Sequence, residues 1–231
     1  MKNKILTFSY DDGVKQDIRL IELFNKYGVK GTFNINSELL DAKYKHTLTV
    51  NGIDVWHDKV SKEDLKSIYD GHEVAVHTLT HPLLPGIEDE NEIIRQVEQD
   101  RLNLSELCGY EVKGMAYPCG GKNSDERVAN IIKNNTGVKY SRTIVSTQSF
   151  DLQDDLYLFN PSTYSIHTDE MFRLGEEFLK LETDTTKIFY VWGHSYEFDA
   201  YGWDKIEEFL KMMSGKSDIS YCTNKEAFGI E

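Results

Sequence analysis

Short apolar segments alternate with longer amphipathic segments along most of the chain. The first apolar segment lies in 4–13 (KILTFSYDDG) and runs directly into two aspartates and a glycine. Further strand-like segments follow at 31–36, 72–77, 113–117, 138–141, 188–192 and 219–222. Helix-like segments, with apolar residues on one face, occupy 17–27, 61–69, 88–108, 124–137, 168–181 and 203–213. This alternation predicts a parallel sheet covered by helices, which is an α/β fold.

The number of repeats and the chain length narrow the architecture. About seven strand–helix units occur in 231 residues without internal repeats, low-complexity segments or a linker. A closed or nearly closed barrel commonly uses this length as one unit, so we expect a single domain over 1–231. Asn51-Gly52 between two alternating segments predicts a β-hairpin, which we interpret as an insertion near 46–56.

Composition limits the classes of partner. The net charge is −13 and basic residues do not cluster, which argues against nucleic acid and anionic membranes as partners. No apolar segment approaches the length of a membrane span, and no signal peptide is visible, so we expect a cytoplasmic protein; a trimmed secreted chain would look the same.

The three cysteines lack paired spacing and predict free thiols. The oligomeric state stays open.

Polar residues follow several of the predicted strands at the point where each strand ends. Asp11-Asp12, His77, Cys119-Gly120 and His194 all occupy such positions. In a barrel of parallel strands, these ends meet at one rim, where active sites lie. The sequence therefore predicts one site built from these residues.

The residue types at this rim favour a metal ion. Two adjacent carboxylates in a confined space need a compensating charge, most simply a cation. His77 and His81 stand four apart in HTLTHP, and two imidazoles with one carboxylate form a common ligand set for a catalytic metal. Alone, the aspartate pair fits a surface turn and the histidine pair fits structural histidines; together they favour a divalent-metal site. The remaining histidines are interpreted as structural (His46, His57, His72 and His167).

Four motifs in order resemble those of the NodB-homology polysaccharide deacetylases, carbohydrate esterase family 4. They are Ser9–Gly13 (SYDDG), His77–Pro82 (HTLTHP), Ala116–Gly120 (AYPCG) and Val191–His194 (VWGH), and they span nearly the whole chain. The resemblance implies a distorted (β/α) barrel with about seven parallel strands. It also implies a metal-dependent hydrolase that removes acetyl groups from an N-acetylated or O-acetylated sugar, acting on carbon–nitrogen bonds other than peptide bonds.

The resemblance assigns roles around the metal. Asp12, His77 and His81 would bind the ion, most often zinc, with cobalt, nickel or manganese as alternatives. Asp11 would be the general base that takes a proton from metal-bound water. His194 would be the general acid that protonates the leaving group.

Further roles concern the oxyanion and the substrate. The backbone N–H of Cys119 would stabilise the oxyanion, so the cysteine side chain, where many relatives carry tyrosine, should be exchangeable. Aromatic rings stack on sugar faces, and Tyr117, Tyr196 and Trp192 are the candidate substrate-binding residues. Trp192 belongs to a strand and fits a core position better. Tyr196, Tyr201 and Trp203, in SYEFDAYGW, are better candidates for a substrate wall, with packing of the loop as the alternative.

Two departures from the family pattern raise questions about the base and the acid. Ala116 stands where the family often has an arginine that steadies the base, so Asp11 would be held in another way or would be a weaker base. The aspartate that orients the acid histidine has only a loose match, and we favour Asp155 over Asp151 and Asp154.

Two other functions remain as alternatives. The first is hydrolysis of a small non-sugar amide by the same barrel, favoured by the expected cytoplasmic location. The second is a catalytically weak carbohydrate-binding protein, suggested by the missing arginine. A screen of acetylated sugars against small cyclic or linear amides separates the first alternative from the deacetylase. The second predicts carbohydrate binding without turnover, whatever metal is added.

Overall fold

Strand β1 (Lys4–Asp11) is the strand around which the sheet is organised, and all of its residues are buried. One edge of β1 pairs in parallel with β9 (Lys187–Gly193) over most of its length. The other edge is shared by two strands: β10 (Ile219–Tyr221) pairs with its first half and β2 (Thr32–Ile35) with its end. A strand paired on both edges and covered on both faces buries every side chain, which explains the apolar residues Ile5, Leu6 and Phe8. The buried hydroxyls of Thr7 and Ser9 are satisfied by hydrogen bonds within the protein.

The computed structural model describes residues 2–230. Its main sheet has seven parallel strands in one path, with β10 attached beside β1. This confirms the prediction of an α/β fold with a distorted barrel of about seven parallel strands. The order of the path is β7 (Tyr140–Arg142), β6 (Gly114–Ala116), β5 (Glu73–Val76), β2, β1, β9 and β8 (Thr163–Tyr164).

The two ends of the curled sheet are linked through the segment 159–164. Phe159 donates its amide to the carbonyl of Ser141 at 3.1 Å and accepts from the amide of Thr143 at 2.9 Å. The same segment then continues into β8, which pairs with β9. The polar segment 143–168 had no readable strand pattern, and β8, only two residues long, was missed.

The helices cover the sheet as their apolar faces predict; in the first of them, Leu20, Ile21 and Phe24 are buried. A π-helical turn at Arg95–Gln99 joins α3 to α4. Single 3-10 turns lie at Ser37–Leu39, Leu84–Gly86, Leu156–Leu158 and Ser195–Glu197. The α-helices are α1 (Gln16–Tyr27), α2 (Leu65–Ile68), α3 (Glu90–Ile94), α4 (Asp100–Cys108), α5 (Glu126–Asn135), α6 (Thr168–Lys180), α7 (Phe198–Tyr201), α8 (Trp203–Met213) and α9 (Asn224–Ala227).

The predicted hairpin is present as β3 (Leu48–Val50) and β4 (Ile53–Val55). Asn51 and Gly52 at its tip both have positive φ, 49° and 74°, as a tight hairpin turn requires. After the hairpin, the segment 57–60 runs alongside the loop that follows β1. The insertion therefore reaches the aspartates at the end of β1.

Within residues 2–230, no helix has both the length and the apolar character needed to cross a membrane.

Candidate active site

A cavity of about 470 Å³ opens where the parallel strands end. Nine of the residues that the sequence singled out for chemistry or substrate binding line this one cavity, so the predicted convergence of strand ends occurs; Tyr201 and Trp203 are not among its lining residues. The lining consists of Asp11, Asp12, His77, His81, Tyr117, Cys119, Trp192, His194 and Tyr196, together with Gly120, Ile144 and Tyr164.

Asp12, His77 and His81 form a compact donor set. One oxygen of Asp12, Oδ1, lies 3.9 Å from Nε2 of His77 and 3.6 Å from Nε2 of His81. One donor atom from each of the three residues lies within 4.8 Å of the others. A carboxylate and two imidazoles at this spacing fit a divalent transition-metal ion.

The tautomer and the protonation state of His77 suit it to bind a metal ion. Its Nδ1 lies 2.9 Å from the carbonyl oxygen of Ala116, and because a carbonyl only accepts, Nδ1 carries the proton and Nε2 is left with its lone pair. Burial lowers the pKa of His77 to about 4, which keeps the ring neutral near pH 7. Asp100 fixes the backbone of this residue, since its carboxylate accepts from the His77 amide at 3.1 Å.

The backbone of this site is unusual. Four of its non-glycine residues adopt the left-handed region, with φ of 84° for Asp12, 69° for Thr78, 62° for His81 and 69° for Cys119. Such a conformation costs about 1–3 kcal/mol per residue and persists only where surrounding contacts impose it. Asn36 provides one such contact, because its side-chain amide donates to the Thr78 carbonyl at 2.9 Å. Strain of this kind concentrates at functional sites.

Asp11 is held by Arg142, which is fully buried. Nη2 of Arg142 lies 2.5 Å from both oxygens of the Asp11 carboxylate, and the side-chain amide of Asn34 donates to Oδ1 at 2.8 Å. Burial alone would raise the pKa of Asp11, but the Arg142 guanidinium, together with His77 and His194, outweighs burial and lowers it. Asp11 is therefore ionised at neutral pH.

Arg142 corrects the expectation drawn from Ala116. The sequence suggested that Asp11 lacks its arginine and could be a weaker base on that account. Ala116 on β6 and Arg142 on β7 are register partners, so the guanidinium enters the site from the next strand at the same level. No motif contains Arg142, and only the strand register could have identified it.

Asp12 also has a cationic neighbour that the sequence did not reveal. Nζ of Lys59 lies 2.8 Å from the backbone carbonyl of Asp12 and 3.5 Å from its Oδ1, and the Lys59 side chain is only 5% exposed. Burial acts to raise the pKa of Asp12, but Lys59 and the neighbouring histidines outweigh it and hold that pKa well below its usual range. The two adjacent carboxylates are thus each paired with a cation.

His194 lies across the cavity in a network with Glu197 and Tyr164. Its Nδ1 is 3.3 Å from Oε1 of Glu197 and 3.2 Å from the hydroxyl of Tyr164. Tyr164 donates to Glu197, whose other oxygen accepts from the His194 amide at 3.2 Å. Burial acts to lower the pKa of His194, but the carboxylates of Glu197, Asp12 and Asp11 together outweigh it, Glu197 most of all, and raise that pKa to about 9. The ring is protonated at neutral pH.

The prediction that Asp155 orients the acid histidine is wrong. Asp155 accepts from the amide of Tyr157 at 2.9 Å and caps the 3-10 turn that begins at Leu156. The carboxylate beside His194 is Glu197, brought there by the tight turn that follows β9. The spacing of three residues in HSYE was a usable signal, because one helical turn places such a pair side by side.

The aromatic residues form part of the cavity wall. Trp192 is 6% exposed and stacks on Tyr164 with ring centroids 4.2 Å apart, so it belongs to both the core and the wall. Its buried indole N–H has no hydrogen-bond partner within residues 2–230. The Tyr196 ring lies 5.1 Å from that of His194, whereas the hydroxyl of Tyr117 is engaged with the Tyr157 carbonyl.

Comparison with known sequences identifies one matching family. The family described as polysaccharide deacetylase matches residues 1–140, which include the SYDDG, HTLTHP and AYPCG motifs. No curated protein sequence matches the chain significantly.

Comparison with solved structures finds the same fold in carbohydrate-active proteins. The Xyl-CE4 domain of a multidomain xylanase from the hindgut metagenome of Trinervitermes trinervoides has a TM-score of 0.62 and 13% identity, covering 98% of this chain and 90% of its own. A peptidoglycan N-acetylglucosamine deacetylase has a TM-score of 0.59 and 18% identity, covering 100% and 91%. A family 4 acetyl xylan esterase from Clostridium thermocellum, solved with a cobalt ion, has a TM-score of 0.57 and 15% identity, covering 99% and 93%.

Proposed function

The chain belongs to the polysaccharide deacetylase family, whose pattern matches more than half of its length, and from this premise we propose that it is a metal-dependent hydrolase that removes acetyl groups from an acetylated sugar. The observation that carries the proposal is the convergence of a three-residue donor set, an ionised carboxylate and a protonated imidazole on one cavity. These are the groups that hydrolysis of an acetyl group requires.

Asp12, His77 and His81 would hold the metal, most often zinc, with cobalt, nickel or manganese as alternatives. When bound there, a divalent cation would polarise the acetyl carbonyl and acidify a water molecule. The fit rests on the spacing of the donors and on His77, whose Nε2 lone pair is free for a ligand bond.

Asp11 is the proposed general base. Its carboxylate lines the same cavity, is ionised, and is kept in one orientation by Arg142 and Asn34. It accepts the proton of the attacking water while Arg142 stays charged and prevents the carboxylate from turning away. The guanidinium also lies over the Trp192 ring, 4.6 Å from its centroid, which fixes the arginine itself.

His194 is the proposed general acid, and Cys119 is the proposed oxyanion donor through its backbone. A protonated His194 can deliver its proton to a departing nitrogen, and an amine leaves far more readily when protonated. This preference favours an N-acetyl over an O-acetyl substrate. The left-handed φ of Cys119 turns the peptide at the cavity rim, and within the described residues its N–H donates to no protein acceptor.

The substrate is proposed to be a sugar because of the cavity wall. Trp192 and Tyr196 offer ring surface, Tyr117 completes the wall, and the unpartnered indole N–H of Trp192 can donate to a sugar oxygen. The idea of a catalytically weak binding protein depended on a missing arginine, and Arg142 supplies that guanidinium.

The test measures acetate release from three substrate sets: N-acetylated sugar oligomers, O-acetylated sugar oligomers, and small linear or cyclic amides. We expect release from the N-acetylated sugars, its loss on chelation, and its recovery when a divalent metal is added back. Asp12→Asn and His77→Gln should lose both bound metal and activity. Activity confined to the small amides would favour the alternative hydrolase, and binding of sugars without turnover at any metal concentration would contradict the proposal.

A further inference from the structure

A single carboxylate oxygen stands between the metal-binding histidines and a buried lysine. Oδ1 of Asp12 is the oxygen nearest to Nε2 of both His77 and His81, and the same oxygen lies 3.5 Å from Nζ of Lys59. The lysine also donates to the backbone carbonyl of Asp12 at 2.8 Å. The proposed metal ligand is therefore already engaged by a cation of the protein.

Lys59 is fixed in this position by backbone pairing on both sides. Its amide donates to the Ala42 carbonyl at 3.0 Å. Beside it, Lys15 donates to the Asp58 carbonyl and Val60 to the Gly13 carbonyl, each at 2.9 Å. These bonds attach the segment that follows the hairpin to the loop that carries Asp12. The backbone of Lys59 is thus held beside Asp12, and its side chain, only 5% exposed, is enclosed there.

The two cationic side chains of the site pair with carboxylates that have different proposed roles. Arg142 pairs with Asp11, the proposed base. Lys59 pairs with Asp12, the proposed ligand, so its charge would act directly against a cation bound by the same oxygen. Water screens the repulsion between Lys59 and such a cation only partly, because the side chains of Lys59 and Asp12 are 5% and 15% exposed.

We propose that Lys59 is a metal-tuning residue: it neutralises and orients Asp12 in the metal-free protein and lowers the affinity of the Asp12–His77–His81 site for divalent cations. This inference rests on the proposed role of those three residues as ligands. It goes beyond that role, because it assigns reversible, exchangeable metal binding to this site and identifies the segment 57–60, which follows the hairpin, as the source of the opposing charge.

The experiment compares metal affinity among variants of the full chain, measured by titration of Zn²⁺ and Co²⁺ against a competing chromophoric chelator. Lys59→Gln and Lys59→Met remove the charge, and the first retains a hydrogen-bond donor. Both should bind metal at least about tenfold more tightly than the unmodified protein. Lys59→Arg keeps the charge and should stay within about threefold of it. In chelator, the melting temperatures of the two uncharged variants should fall, and added metal should raise them more than it raises that of the unmodified protein.

Lys4→Gln is the matched control. Lys4 is another nearly buried lysine with one carboxylate partner, Asp218 at 2.8 Å, but it lies at the opposite end of β1. Its replacement should leave metal affinity unchanged. Equal or weaker metal binding by both uncharged Lys59 variants, or no binding by any protein in the series, overturns the inference. Because affinity is read without substrate, absence of acetate release would count against the proposed function alone.

Discussion

Arg142 and Ala116 are register partners on neighbouring parallel strands, and it is from this position that the Arg142 guanidinium contacts Asp11. Side chains at paired positions of adjacent strands point to the same face of the sheet. An arginine at either of these two positions can therefore place its guanidinium beside the same carboxylate. In this chain, Ala116 stands at the position where the resemblance to the family expects the arginine, and Arg142 lies beside it on the next strand.

Replacing Arg142 should damage both folding and catalysis. Arg142→Gln would leave the buried Asp11 carboxylate without its counter-ion, at a cost of about 3–5 kcal/mol in the free energy of unfolding. Acetate release should fall at least about a hundredfold, because the base is no longer oriented. Urea denaturation and initial rates measure the two effects.

The register between positions 116 and 142 also predicts that an arginine at 116 can partly replace Arg142. Ala116→Arg combined with Arg142→Ala places the guanidinium on β6 at the same level of the sheet, and should recover part of the activity lost in Arg142→Ala alone. The single variant Ala116→Arg crowds two guanidinium groups and should not improve on the unmodified protein. A double variant no more active than Arg142→Ala would show that the two positions are not equivalent.

Glu197 should set the alkaline limit of activity. Its carboxylate, with smaller contributions from Asp12 and Asp11, raises the pKa of His194 to about 9, so the proposed acid keeps its proton up to about that pH. In Glu197→Gln the pKa of His194 should fall, and the alkaline limb of kcat/KM should move toward neutral pH by roughly one unit or more. Glu197→Asp tests whether a carboxylate on a shorter side chain returns the alkaline limb of kcat/KM to the pH of the unmodified protein. An unchanged limb in Glu197→Gln would exclude His194 as the titrating acid.

The same ion pair contributes to stability with a defined sign. The folded-state pKa of His194 is raised above its ordinary value of 6.5, so its contribution is fully present below about pH 6.5 and is lost as the pH rises through about 9. The difference in melting temperature between the unmodified protein and Glu197→Gln should therefore shrink across that interval. Tyr164→Phe, which keeps the ion pair but removes one hydroxyl, should retain most of this pH dependence.

Cys119 should be replaceable as a side chain. Its proposed role uses the backbone N–H, and its φ of 69° is a conformation that glycine adopts without strain. Cys119→Gly and Cys119→Ala should keep activity within about threefold, and the glycine variant should recover about 1 kcal/mol of backbone strain. Loss of activity in both variants would instead assign a chemical role to the thiol, which lies 3.7 Å from Nδ1 of His81.

Much of the fold and the site could be read from the sequence because the signals are local. The strand Lys4–Asp11 is buried throughout and most of its residues are apolar, Asn51-Gly52 specifies a hairpin turn, and the strand-end residues share one rim by topology. The supporting charges could not be read in this way. Arg142 and Lys59 lie in segments without a motif. Arg142 reaches Asp11 because of the strand register, and Lys59 reaches Asp12 because the segment after the hairpin runs beside it.

The final prediction concerns Asp17, a fully buried carboxyl near the site that the proposed reaction does not use. It accepts hydrogen bonds from Ser195 at 2.6 Å and from Tyr69 at 2.7 Å, and burial raises its pKa to about 7. Because its folded-state pKa lies above the unfolded value, the folded protein holds a proton that the unfolded chain releases. Its contribution to stability is thus fully present below about pH 4 and is lost progressively as the pH rises to about 7.

Asp17→Asn mimics the protonated carboxyl and should remove this dependence. Relative to the unmodified protein, its free energy of unfolding should increase by about 2–3 kcal/mol between pH 5 and pH 7.5, as measured by urea denaturation at both pH values. Asp184→Asn, at an exposed position, is the control and should show no such change. An equal effect of Asp17→Asn at the two pH values would mean that Asp17 is ionised in the folded protein throughout this range. The hydroxyls of Ser195 and Tyr69 would then stabilise its charge more strongly than burial opposes it.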